Sequence, residues 1–186
     1  MSRRRDPQAQ TRVWVRDVVR SGLLAPDEEY AEIVAVIRAD HPALDAEATA
    51  REWISAEWGA WVADSAGWSR PTGYDRLVAA FDDIRAAGLL VLEGCLDHWV
   101  VRDALRSRRD ARGAAWFTSR DVWHAIDEPM LEINLWHPDT ANVVPGDALL
   151  DEVLEFLRRH QLPARFDEGR VEVAIRWQRV PLGHKQ

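Results

Sequence analysis

Residues 130–136 read Met-Leu-Glu-Ile-Asn-Leu-Trp. Leu131, Ile133 and Leu135 alternate with Glu132 and Asn134, and a period of two sends the two sets to opposite faces of an extended chain. That pattern marks a half-buried β-strand and places a sheet in the second half of the protein. Downstream, Arg170–Trp177 repeats it, with Val171, Val173, Ile175 and Trp177 alternating with polar residues. Between the two lies a helix starting at Pro145 and running to about His160. Leu149, Leu150, Val153, Leu154 and Leu157 share its inner face, and Pro163 stops it. Asp167-Glu168-Gly169 reads as a turn. Upstream, Leu89–Leu92 and Ala114–Thr118 are short apolar runs that suit buried strands. A short helix, His98–Leu105, and the charged loop Arg106–Gly113 separate them, and Ser119 caps a brief helix through Ile126.

Before Leu89 the period changes to that of a helix. Val13, Trp14, Val18 and Val19 stripe Thr11–Ser21, with Gly22 as its stop. Pro26 opens a second helix, with Asp27, Glu28 and Glu29 in the first turn, where the positive end of the helix dipole favours carboxylates. Tyr30, Ile33, Val34 and Ile37 form its apolar face, and His41-Pro42 ends it. A third helix covers about Ala43–Asp64, with Trp53, Ile54, Trp58, Trp61 and Val62 at three- and four-residue spacing. After the loop Ser65–Gly73 a fourth runs from Asp75 to Ala87, with Leu77, Phe81 and Ile84 inward. The order predicts an α+β fold: a helical N-terminal half packed on a small mixed, mostly antiparallel four-stranded sheet with flanking helices. The expected division is a flexible tail at 1–10, a helical subdomain at 11–67 and an α+β subdomain at 73–180, together one compact unit.

Composition narrows the function classes. The 186 residues are 47% hydrophobic and 30% charged, enough apolar material for a core without disulfides or metals. No apolar run approaches the ~20 residues of a membrane helix, and no signal-peptide stretch follows Arg3–Arg5. One cysteine, Cys95, excludes an intramolecular disulfide and fits a reducing compartment. The expected location is the cytoplasm. A formal charge of −7 argues against nucleic acid as a partner, although Arg106–Arg112 forms a short basic cluster. Lys185 is the only lysine in an arginine-rich chain, a bias of GC-rich coding. Ten tryptophans are an enrichment, and Trp favours cores with a wet edge and interfaces.

The chain also resembles an uncharacterised bacterial domain family of unknown function. The similar stretches are the helix end Glu57-Trp58, Asp75-Arg76-Leu77 through Phe81, and Arg85-Ala86-Ala87-Gly88-Leu89. Further on come Ala115-Trp116-Phe117, Leu131–Leu135 and Val173–Arg176, so the resemblance spans about Val13 to Arg179. It implies the α+β fold and supplies no activity. It also implies a cysteine cluster after the first strand, from which this chain departs: Gly94-Cys95-Leu96-Asp97-His98 holds one cysteine.

The candidate site residues come from that stretch and from the tryptophans. Cys95, Asp97 and His98 place a thiolate, a carboxylate and an imidazole at zinc-ligand spacing, with His124 and His137 available elsewhere. Read as a nucleophile, Cys95 would need His98 or His124 as base and Asp97 or Asp121 to orient it. The plainer reading is a small buried thiol beside a surface histidine. Trp53, Trp58 and Trp61 read as core first and as a partner anchor second. Trp123, Trp136 and His137 lie near element ends, where a partner could meet them. The leading expectation is therefore a non-catalytic protein-interaction module, binding another protein or a second copy. A metal- or thiol-dependent enzyme centred on Cys95 and His98 is the alternative.

Overall fold

The computed structural model describes residues 6–181. These fall into two compact units, residues 6–68 with 179–181, and residues 69–178.

The first unit is helical. Helix α1 spans Pro7–Ser21, α2 Pro26–Asp40 and α3 Ala46–Ser65. The stretch expected as a loose tail differs: Asp6 accepts from the Gln8 N–H and opens α1 at Pro7, four residues before the expected start, while residues 1–5 lie outside the described part. Gly22 ends α1 in the left-handed conformation, which glycine adopts without a Cβ clash. Asp45 caps α3 by accepting from Ala48 N–H. Helix α3 packs on both α1 and α2, burying Val15, Val19, Ile33, Ile37, Ala50, Trp53 and Trp61. The segment 179–181 returns to this unit, where the Trp61 indole N–H donates to the Arg179 carbonyl at 3.0 Å.

The second unit carries the sheet. Its elements are α4 (Gly73–Ala86), β1 (Leu90–Cys95), α5 (His98–Ser107), β2 (Ala114–Thr118), α6 (Ser119–Asp127), β3 (Leu131–Trp136), α7 (Ala148–Arg159), β4 (Ala164–Asp167) and β5 (Arg170–Val173). The sheet has five strands, one more than expected, in the order β1-β2-β3-β5-β4. The β1–β2 pair is parallel and the other three pairs are antiparallel. The additional strand, β4, is a four-residue edge strand. It pairs with β5 through the two-residue loop Glu168-Gly169, where both residues have positive φ (44° and 87°), as a tight hairpin turn requires. β5 stops at Val173, so the alternation read through Trp177 outlasts the ladder. Trp177 still anchors, its N–H donating to the Ala125 carbonyl.

Pleating sorts the core by face. Phe117, Leu131, Ile133 and Leu135 are fully buried on one face, with Phe117 stacked at 5.9 Å on Phe81 of α4. The other face carries Ala114, Trp116 and Trp136, and α5 packs there through Val101 and Leu105 around Cys95. Thr72 and Asp75 form a reciprocal cap that opens α4.

Candidate functional site

The residues singled out from the sequence take structural places. Cys95 ends β1, 7% exposed, among Val101, Leu105, Ala111 and Trp116. Burial pushes its thiol up to about 11, and the Asp97 charge adds to the effect. The thiolate, which is both nucleophile and metal ligand, is thus disfavoured at neutral pH. Asp97 caps α5, its Oδ1 accepting from the N–H of Trp99 at 2.8 Å and of Val100 at 3.3 Å. His98 is exposed, with its ring 4.6 Å from Trp99. His124 is exposed on α6, and Asp121 accepts from the Thr118 N–H and hydroxyl. Among the described residues no group of three or more His, Cys, Asp or Glu side chains is placed to hold a metal ion.

The tryptophans divide in a similar way. Trp136 packs edge-on against Trp116 at 5.0 Å and donates its indole N–H to Asn142 at 2.6 Å. His137 Nε2 lies 3.0 Å from Asp147 Oδ2, and that contact, after the Val144 N–H bond, holds the Asp147 carboxyl below its ordinary range. Trp123 is half-buried with an unpartnered indole N–H. The apolar side chains that reach solvent here are others: Leu96, Trp99 and Val100 at 87%, 49% and 46% exposure, with the Arg102 guanidinium 3.9 Å over the Trp99 ring.

A different feature lies in the helical unit. Glu29, in the first turn of α2, is 7% exposed. Among the described residues no hydrogen bond or ion pair reaches its carboxylate, and burial alone pushes its pKa up to about 7. The first turn of a helix favours a negative charge by about 0.3–1 kcal/mol, too little to offset this desolvation. Glu29 lines an open groove of about 830 Å³ between α2 and α3, with Tyr30, Ile54, Trp58, Val62 and Pro181 among its other walls. Arg51, on the rim, gives its guanidinium to the Tyr30 hydroxyl at 3.0 Å and not to Glu29. Trp58, tilted against buried Trp61 at 5.2 Å, is the half-buried member of the tryptophan stripe.

Gly59 also lines the groove, and a Cβ built there would meet none of the described residues within 4 Å. A glycine inside an exposed helix costs about 1 kcal/mol relative to alanine, so its presence leaves space at the expense of helix stability. Sequence reasoning missed this site, because Glu29 reads as one of three dipole-favoured carboxylates and nothing local says it is the buried one. Gly59, mid-helix between Trp58 and Trp61, was the available signal. The groove has the volume and mostly apolar lining of a binding site, and its buried carboxylate, Glu29, has no counterpart among the described residues.

Among the described residues no helix is long and apolar enough to cross a membrane. No curated protein and no solved structure matches the chain. The family described as Domain of unknown function (DUF6891) matches residues 4–181, nearly the whole sequence, and the chain belongs to that family.

Proposed function

We propose that this protein is a non-catalytic protein-interaction module whose helical unit takes a basic, partly apolar segment of a partner protein into the α2–α3 groove. The observation that carries the reading is Glu29, a buried carboxylate without a counterpart among the described residues, at the wall of an apolar-aromatic groove. A buried charge is costly unless paired, and a bound cation supplies the pairing that Glu29 lacks among the described residues. Charge supports the same partner. Twelve carboxylates stand against five arginines between Asp6 and Trp68, a field that draws in basic segments and repels acidic ones. Ile54, Trp58 and Val62 offer the apolar contact that turns attraction into affinity.

Panning a random dodecapeptide pool against the purified protein tests this. Enriched sequences that join Lys or Arg to apolar residues, and that bind more weakly as salt rises, support it. A pool that yields no enrichment, or enrichment of acidic sequences, contradicts it.

A further inference from the structure

Resting on the groove as the binding site, we infer that Glu29 is the receptor for a single lysine side chain of the partner, whose ammonium pairs with the carboxylate while its methylene stem lies along Trp58 and Tyr30. The groove supplies each part of that ligand's chemistry. An ammonium is compact and donates in three directions, so it suits a lone carboxylate recessed in an apolar wall. A planar guanidinium gains most from bidentate partners and would have to pass Arg51, already placed at the rim. Four methylenes match an apolar lining built from Ile54, Trp58 and Val62. The two aromatic rings add cation–π attraction near the charge.

The same geometry makes the pocket pH-sensitive. Unliganded Glu29 takes up a proton near pH 7, and a neutral carboxyl does not hold an ammonium. The other charged or titratable side chains lining the groove are Arg51 from α3 and Tyr30 from α2. α1 and residues 180–181 contribute none to it. Lysine recognition therefore strengthens as pH rises through 7.

The probes are N-acetyl-lysine methylamide and its neutral counterpart N-acetyl-norleucine methylamide, titrated by NMR onto the full chain at pH 8. The lysine probe should bind about tenfold tighter, the scale of a charge-assisted hydrogen bond. That preference should vanish at pH 5.5 and in Glu29→Gln. In the unmutated protein, the carboxyl carbon of Glu29 should titrate near 7 alone and at a lower pH with the lysine probe bound, a readout that needs no variant. Equal binding of both probes would leave the groove as a docking site and overturn the lysine assignment. Binding of neither would overturn both. A drop in the Glu29 midpoint of unliganded wild type relative to Lys185→Gln would make the cation the chain's own and also overturn the assignment.

Discussion

Replacing Glu29 by glutamine removes a titrating group from a buried position and keeps its shape. Well below pH 4.5 its carboxyl is neutral in both the folded and unfolded chain, so there the wild type carries no charge penalty. Between 4.5 and about 7 the folded chain holds a proton that the unfolded chain has released. Stability must then fall as pH rises through this window, and above 7 the folded protein buries a carboxylate at full cost. The displacement from 4.5 to about 7 corresponds to about 3 kcal/mol. Water entering the open groove reduces that to about 2 kcal/mol. Any difference in hydrogen bonding between the neutral acid and the amide is the same at every pH and cancels. Urea unfolding of wild type and Glu29→Gln at pH 5, 6, 7 and 8 measures the gap. The variant should gain about 1.5 kcal/mol on wild type between pH 5 and pH 8, with most of the gain below pH 7. A gap that stays flat across the series would show that Glu29 is solvated or already paired, and the argument for the groove would fail with it.

Two further outcomes follow from the second unit. In Gly113→Ala the new Cβ would fall 2.3 Å from the Trp136 carbonyl oxygen, backbone held in register by the Ala114–Trp136 pair. The strands must separate locally, at a cost of about 3 kcal/mol in urea unfolding, and a wild-type midpoint would contradict the close approach. Cys95, with its thiol near 11, should be about one part in a thousand thiolate at pH 8. It should react slowly with an aromatic disulfide reagent until denaturant is added, and prompt reaction of the folded protein would overturn its place in the core.

Most of the fold was legible because its signals are local. The alternation of Leu131, Ile133 and Leu135 is a property of six residues, and Pro26 with its acidic first turn announces α2 where it occurs. β4 was not legible. Four residues, two of them charged, carry too little pattern, and their strand state comes from pairing with β5 across the turn. The site was harder for the same reason. Glu29, Trp58 and Pro181 lie far apart in the chain, and their meeting is decided by how α3 and the segment 179–181 pack. Asp27, Glu28 and Glu29 look alike in sequence, yet only Glu29 is buried. The Cys95–His98 stretch held the opposite lesson. Asp97 immediately before a helix is an N-cap signal, and that is the place the fold gives it.

The central claim is that a partner segment occupies the α2–α3 groove, and Gly59→Arg tests it most directly. The substitution enters open space on α3, so it should leave the fold intact or raise stability by up to about 1 kcal/mol, while filling the groove with bulk and positive charge. Fluorescence anisotropy with the basic peptides enriched on the wild type gives the comparison. The account predicts that Gly59→Arg loses at least about tenfold in affinity while unfolding at wild-type urea or above. Unchanged affinity in a folded variant would place the partner elsewhere on the protein and contradict the account.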